Sequence, residues 1–227
     1  MAKKGISREK IINAFLFCAF DKSAGSTSLQ DIADSIQIKK ASMYNHFKSK
    51  DDMYEATLLY CSDYLNAFNF LPENLLDDGK IFDESAQETF KKIIRRYVQL
   101  YEAEPLFQIY TFIHTEKYFN SRASAIADKE FSKIESGIAI LLKGFSSRGK
   151  LECLSVEEIK DLSNWLASFL FQQLDLYITH KKETVRQNPE SGVGSLFALP
   201  TDNTALGKIV DTVTKWLIPL IPNSHHF

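Results

Sequence analysis

The sequence predicts an all-α protein of about nine helices, and two observations support this fold class. No stretch of the 227 residues alternates apolar and polar side chains between hairpin turns, as half-buried strands do. Apolar residues recur instead at helical spacing, behind serines that can cap a helix N-terminus: Ser7, Ser28, Ser49 and Ser155. Because 44% of the residues are hydrophobic and 25% are charged, the composition is that of an ordinary globular protein.

The expected helices follow one another along nearly the whole chain. Their approximate bounds are 7–22, 28–36, 39–47, 49–70, 84–103, 105–117, 121–146, 155–182 and 203–218. Pro105 interrupts the pattern between the fifth and sixth helices, and Gly149 follows the end of the seventh. The stretch 183–202 holds two prolines and two glycines, so it is expected to be a mobile loop.

Charge divides the chain near residue 50. Residues 1–50 carry nine Lys and Arg against four Asp and Glu, whereas the remainder carries 18 against 25. A basic head on an acidic body is typical of a nucleic-acid-binding module joined to a module that does not bind, although chance clustering gives the same asymmetry. We therefore predict two domains, residues 1–50 and residues 51–227.

The basic head contains two short helices joined by a tight connection. Leu29, Ile32, Ala33 and Ile36 lie on one face of the second helix, and the connection follows at Gln37. The third helix places two apolar residues inward, Met43 and Phe47, and presents Lys, Ser, Tyr and Asn outward. This arrangement is a three-helix domain with a helix-turn-helix, whose second helix fits the DNA major groove.

The residues of this motif resemble the N-terminal domain of tetracycline-repressor-type (TetR family) regulators. The resemblance is carried by the segments 28–33 (SLQDIA) and 42–50 (SMYNHFKSK), with Ile38 between them, and covers about residues 8 to 55. Two positions depart from the family pattern: Gln37 stands where a turn glycine is usual, and Lys39 where a capping Ser or Thr is common. The rest of the chain resembles the family in being helical and of the right length.

The resemblance and the side-chain chemistry together give ten candidate DNA-binding residues. The resemblance implies a phosphate contact for Tyr44, whose alternative role is half-buried packing. Lysine suits phosphates or guanine, asparagine suits adenine, and alanine suits the thymine methyl group, although any exposed lysine can instead be merely solvated. The candidates are Ser28, Lys39, Lys40, Ala41, Ser42, Tyr44, Asn45, His46, Lys48 and Lys50. The implied partner is a palindromic double-stranded DNA operator.

The last two helices carry more apolar residues than one packing face requires. The resemblance implies a homodimer joined through them as a four-helix interface, and a large intramolecular core is the alternative. The expected interface residues are Leu162, Trp165, Leu166, Phe169, Leu206, Val210, Val213, Trp216 and Leu217.

Aromatic residues are dense between positions 64 and 177. They would suit a cavity for a small, mostly apolar effector between the fourth and eighth helices, although core packing accounts for most such rings. The expected ligand-binding residues are Phe68, Tyr97, Tyr101, Gln108, Tyr110, Phe112, His114, Phe169, Gln172 and Gln173. The resulting hypothesis is a repressor of transcription that leaves its operator when the effector binds.

Other functional classes find little support. The sequence has no glycine-rich phosphate loop and no Gly-x-Ser-x-Gly motif, and its five His and three Cys lack metal-ligand spacing. We therefore expect no catalytic residues, metal or cofactor. Three widely spaced cysteines and the lack of a long apolar run predict a cytoplasmic protein that does not enter membranes. The alternatives are a helical interaction or adaptor protein with a degenerate helix-turn-helix, and a small helical enzyme or carrier.

Overall fold

A computed structural model describes residues 6–76, 79–187 and 201–222. In these residues the chain forms nine α-helices and no strand, which confirms the predicted all-α class. The helices are α1 (Arg8–Lys22), α2 (Leu29–Ser35), α3 (Lys40–Met43), α4 (Lys50–Asn66), α5 (Ala86–Leu100), α6 (Leu106–Glu116), α7 (Ser121–Ser146), α8 (Val156–Gln187) and α9 (Asn203–Lys215). Single 3-10 turns occur at Glu73–Leu75, Lys80–Phe82 and Ile218–Leu220.

Serine caps fix several helix N-termini, as the sequence predicted. The Ser7 hydroxyl accepts a hydrogen bond from the Lys10 amide at 3.1 Å, and the Ser49 hydroxyl accepts one from the Asp52 amide. Ser155 and Glu158 satisfy each other's backbone amides at the start of α8. Each cap supplies an acceptor to an amide that has no partner within its own helix, so the helix begins at that residue.

Two helices have bounds that differ from those predicted. The α-helical part of α3 ends at Met43, although the amides of His46 and Phe47 still donate to the Met43 carbonyl and continue the turn. Helix α8 extends to Gln187, five residues beyond the predicted end at 182. The Glu183 side chain accepts from Arg186 and Gln187 one turn later, which stabilises this extension. The remainder of the expected 183–202 loop, residues 188–200, lies outside the described residues.

The chain divides into two compact units. The first comprises Met1–Phe68 and Glu104–Asp128, and the second comprises Asn69–Ala103 and Lys129–Phe227. The functional boundary expected at residue 50 falls inside the first unit. Compactness does not test which residues bind DNA, so that boundary stays a prediction.

In the first unit, α1 packs against α2, α4 and α6. Phe15 meets Phe112 edge to face with ring centroids 5.8 Å apart, and Phe20 meets Phe107 at 5.1 Å. Such aromatic pairs contribute beyond their buried area. Helix α1 therefore holds the helix-turn-helix on one side and α6 on another.

In the second unit, α9 packs against α5 and α8, and two phenylalanine rings fit against glycines of α7. A Cβ added at Gly137 would lie 2.6 Å from the Phe70 ring, and one added at Gly144 would overlap the Phe82 ring. Glycine is required at both positions because the rings occupy the space that any other side chain would fill.

None of the helices in the described residues combines the length and apolar character that a membrane span requires.

Candidate nucleic-acid interface

The turn of the helix-turn-helix is built at Gln37. The Gln37 amide donates to the Asp34 carbonyl at 3.1 Å and the Ile38 amide to the Ala33 carbonyl at 2.9 Å, the two hydrogen bonds of a Schellman motif. Gln37 has a φ of 57°, in the left-handed region that favours glycine. The side chain is thus tolerated with the backbone strain expected from the sequence.

A network of charges and amides holds the start of α2. The Ser28 hydroxyl accepts from the Asp31 amide at 3.1 Å, and the Asp31 carboxylate accepts from the Ser28 amide at 2.7 Å. Lys22 on α1 lies 2.8 Å from the same carboxylate. The hydrogen bonds from Lys22 and Ser28 hold the pKa of Asp31 well below its usual range. This capping box orients α2, and leaves Ser28 itself exposed.

Helix α3 and the turn after it present one exposed polar surface. Met43 and Phe47 are buried against the unit core, as predicted, so the opposite face of α3 is turned outward. The exposed residues are Lys39, Lys40, Ala41, Tyr44, Asn45 and Lys48. We call these six residues the α3 surface. Tyr44 is 53% exposed, so it is a surface residue and not part of the core.

The cations of the α3 surface are available to a partner. Lys39, Lys40 and Lys48 form no ion pair with any residue in the described ranges. Three neighbouring cations without a counter-charge suit a polyanion, because binding exchanges condensed counterions for protein charge.

Three further candidates lie at the edge of this surface. Ser42 and His46 are half-buried. Lys50 is also half-buried, and its ammonium donates to the Gly25 carbonyl at 3.1 Å. That bond ties the first turn of α4 to the connection between α1 and α2, a positioning role for Lys50 that the sequence did not suggest.

Arg8 was not among the sequence candidates, but it supports the α3 surface. Its guanidinium lies 4.6 Å from the centroid of the Phe47 ring and 3.9 Å from the Asp52 carboxylate. Cation–π contact and ion pairing together hold Phe47 under the exposed turn. An arginine early in α1 gives no local signal of this contact, because Phe47 is remote in sequence.

The ten expected ligand-binding residues fall into two sets of five, one in each compact unit. Phe68, Gln108, Tyr110, Phe112 and His114 belong to the first unit, whereas Tyr97, Tyr101, Phe169, Gln172 and Gln173 belong to the second. Most of the rings are buried, and Gln172 is exposed. Of the ten, Gln173 lines the groove described below, and the assignment of the set to a ligand site stays a prediction.

Particular contacts explain why several of these residues are core. Tyr97 packs edge to face on Phe70, and its hydroxyl lies 3.1 Å from the Tyr101 hydroxyl, which donates to Glu130 at 2.8 Å. Burial raises the pKa of both tyrosines, so their hydroxyls stay protonated and form a closed chain of hydrogen bonds. In the first unit, His114 stacks on Tyr110. Burial, helped by the nearby charge of Lys117, lowers the pKa of His114 to about 3, and the ring is neutral near pH 7.

The expected dimer residues divide into buried and exposed sets. Leu166, Leu206, Val210, Val213 and Leu217 are at most 2% exposed in the single chain, because α9 turns this face towards α5 and α8. They pack in the core of the single chain and leave almost no surface for a second copy, so the exposed residues of the set carry the interface prediction.

Trp165 and Trp216 remain 41% and 51% exposed, and Leu162 and Phe169 are half-buried. The Trp165 ring meets Trp216 edge to face at 4.9 Å and stacks on Phe169 at 5.8 Å. We call Trp165, Phe169 and Trp216 the tryptophan patch. Exposed clusters of large aromatic residues mark interaction surfaces.

A groove that the sequence did not predict runs between α8 and α9. Its volume is about 560 Å³. The residues lining it are Gln173, Leu176, Tyr177, His180, Lys181, Thr184, Thr201, Asp202, Ala205, Lys208, Ile209 and Thr212. We call it the α8–α9 groove. The lining residues recur every three or four positions on both helices, a signal that mixed polarity hides in the sequence.

Glu102, just after α5, anchors one end of this groove. Its carboxylate accepts hydrogen bonds from the Tyr177 hydroxyl at 2.5 Å, the Lys181 ammonium at 2.8 Å and the Thr201 hydroxyl at 2.5 Å. Burial acts to raise the pKa of Glu102, but the three hydrogen bonds outweigh it and the pKa is lowered. Glu102 therefore joins the end of α5, α8 and Thr201, two residues before α9, as a charged, buried junction.

Comparison with known proteins places this geometry in a family. Residues 11–57 match the family model described as bacterial regulatory proteins, tetR family. The chain is 32% identical over 142 residues to the biofilm operon icaADBC negative transcriptional regulator IcaR of Staphylococcus epidermidis, covering 55% of this chain and 75% of the relative. It is 37% identical over 97 residues to IcaR of Staphylococcus aureus strain Newman, covering 41% of this chain.

The matched segment spans about half the length of the S. aureus relatives, 51% for strain Newman. In fold, the chain is similar to a transcriptional regulator from Saccharomonospora viridis solved in complex with choline. That similarity has a TM-score of 0.60 at 13% identity and covers 95% of this chain and 98% of the other. The resemblance expected from residues 28–50 is thus confirmed, and the chain belongs to the tetR family of bacterial regulatory proteins.

Proposed function

We propose that this chain is a transcriptional repressor that binds a palindromic DNA operator as a homodimer and responds to a small molecule. The observation that carries the proposal is the α3 surface, where three unpaired lysines surround an exposed tyrosine and asparagine on a helix-turn-helix. Regulators of this family bind DNA operators and function as dimers. Repression, rather than activation, is supported by the relatives, which are named negative regulators.

The α3 surface divides into residues that hold the DNA backbone and residues that read bases. Lys40, Lys48 and the Tyr44 hydroxyl suit phosphates, which supply affinity for any sequence. Asn45 can form two hydrogen bonds with an adenine edge, and Ala41 can contact a thymine methyl group. An interaction scaffold would have no reason to expose this combination, so the adaptor alternative is not favoured.

The tryptophan patch supports assembly from two copies. Large exposed aromatic rings that already pack on one another give a rigid apolar surface, which loses little entropy when a second copy covers it. A symmetric dimer of helix-turn-helix proteins presents two recognition helices to successive major grooves, about 34–36 Å apart. An effector that favours a different spacing would then release the operator by population shift.

The test is operator selection followed by point variants. Purified protein is mixed with genomic fragments, bound fragments are recovered, and affinity for the best fragment is measured by fluorescence anisotropy. Lys40→Ala and Tyr44→Phe should weaken binding to every fragment alike, because phosphates carry no sequence information. Asn45→Ala should change preference at one base pair, by about 1–3 kcal/mol.

Lys160→Ala is the matched control, since Lys160 is an exposed lysine on α8 in the second unit. It should leave affinity unchanged. Recovery of no fragment, or an equal loss of affinity from Lys160→Ala and Lys40→Ala, would contradict the DNA-binding proposal. The first result would favour an adaptor protein instead.

A further inference from the structure

The α8–α9 groove has the size and wall chemistry of a ligand site. Its volume of about 560 Å³ falls in the range of small-molecule pockets. Leu176, Ala205, Ile209 and the ring of Tyr177 supply apolar surface, and three threonines supply hydroxyl groups. Tyr177 and Ile209 are only 7% and 6% exposed, so they form a floor fixed by the unit core.

One lysine of the groove is available to an anionic group. The ionisable side chains at the groove are Glu102, His180, Lys181, Asp202 and Lys208. Glu102 and Lys181 neutralise each other at 2.8 Å. Asp202 caps α9, since its carboxylate accepts from the amides of Thr204 and Ala205. Lys208 is exposed and has no counter-ion in the described part of the chain, so its charge is left for an occupant.

We infer that the α8–α9 groove binds a small, mostly apolar molecule that carries one anionic group. The apolar part lies against Leu176, Tyr177 and Ile209, and the anion pairs with Lys208. The α8–α9 groove is a different place from the position between the fourth and eighth helices that the aromatic residues suggested. The inference that this ligand is the effector rests on the proposed function. The inference that the groove binds such a molecule does not.

The probe for the test is 1-anilinonaphthalene-8-sulfonate, an apolar aromatic molecule with a single negative charge that fluoresces when it leaves water. Wild-type protein should give a saturable rise in fluorescence with one site per chain. Ala205→Trp should abolish it, because the indole fills the groove. Lys208→Glu should weaken binding by about fivefold, since an attraction becomes a repulsion. Lys215→Glu, an exposed position of α9 outside the groove, should bind as wild type does.

Several results would overturn the inference. Failure of wild-type protein to bind the probe would do so, as would unchanged binding by both groove variants or equal loss in the Lys215→Glu control. A monomeric Ala205→Trp protein in light scattering would show that a second copy occupies the groove instead. Lys208→Glu keeps the test decisive if Ala205→Trp fails to fold. Operator binding is measured on the same proteins without probe. If none of them, wild type included, binds an operator, that result counts against the proposed function and not against the groove as a binding site.

Discussion

Removal of the Glu102 carboxylate should destabilise the second unit more than removal of any exposed glutamate. Glu102→Ala deletes the acceptor for Tyr177, Lys181 and Thr201, and leaves the Lys181 ammonium without its partner. The side chains of Glu102 and Lys181 are only 10% and 9% exposed, so solvent cannot replace the lost bonds. Breaking a buried pair from one side costs about 3–5 kcal/mol, which would lower a urea midpoint by roughly 1–2 M.

Urea unfolding followed by circular dichroism measures the effect, with Glu183→Ala as the matched control. The Glu183 carboxylate pairs with Arg186 on α8, and both side chains are about half exposed, at 46% and 63%. Its loss should cost less than about 1 kcal/mol. Adding Lys181→Met to Glu102→Ala should restore part of the stability, because the unpaired charge is then absent. Equal midpoints for Glu102→Ala and Glu183→Ala would refute the assignment of Glu102 as a buried junction.

The same junction makes stability depend on pH in a defined direction. The pKa of Glu102 is lowered in the folded chain, so the folded state favours the ionised carboxylate. Its contribution is fully present above the unfolded pKa, about 4.3, and is lost as the pH falls through the lower folded value. The stability difference between wild type and Glu102→Gln should therefore shrink as the pH is lowered from about 5 towards 3. A difference that stays constant over this range would show that ionisation of Glu102 does not contribute.

Three further changes test other parts of the molecule. Trp216→Glu should reduce the mass measured by light scattering from about twice 25.9 kDa to a single chain, because it charges the tryptophan patch, and a persistent dimer would place the interface elsewhere. Gln37→Gly should raise the free energy of unfolding by up to about 1 kcal/mol, and with it the urea midpoint, since glycine accepts a φ of 57° without strain. A lower midpoint would mean that the glutamine side chain stabilises the fold by more than the backbone strain costs. Gly144→Ala should lower the thermal midpoint and cost about 1–3 kcal/mol, because the new Cβ overlaps the Phe82 ring, whereas Gly207→Ala, which meets open space, should not.

Local signals in the sequence were sufficient to predict the helices and most of their N-termini. A cap is decided between a serine and the third residue after it, so Ser28 with Asp31 and Ser155 with Glu158 could be identified without tertiary information. The strained turn at Gln37 could also be predicted from local sequence, because it depends on one residue at the end of a short helix. The predicted end of α8 at residue 182 is wrong because the prolines and glycines that follow favoured a loop, whereas Glu183 accepts hydrogen bonds from Arg186 and Gln187 within one helical turn.

Tertiary partners account for what the sequence could not predict. Val210 and Val213 have the spacing of an apolar face, but that spacing is the same for a face packed on α5 and for a face covered by a second copy. Tyr97 and Tyr101 likewise lie four residues apart on one helix face, a spacing that suits a ligand site and a core equally well. Only their contacts with Phe70 and Glu130 show that side chains of this chain cover that face. The α3 surface was easier to predict, since its exposure follows from the inward positions of its own short helix.

The two ring-filled glycines restrict how α7 can move. Gly137 and Gly144 are seven residues apart, so both notches lie on one side of the helix and hold Phe70 and Phe82 at the same time. A slide of α7 by one turn, about 5.4 Å, would replace glycines with larger side chains under both rings. Steric contact with these two rings therefore prevents α7 from sliding along its axis unless Phe70 and Phe82 move with it. A conformational change within the second unit would then involve helix contacts that lack such a ring–glycine fit. The contact between α8 and α9 is one of these.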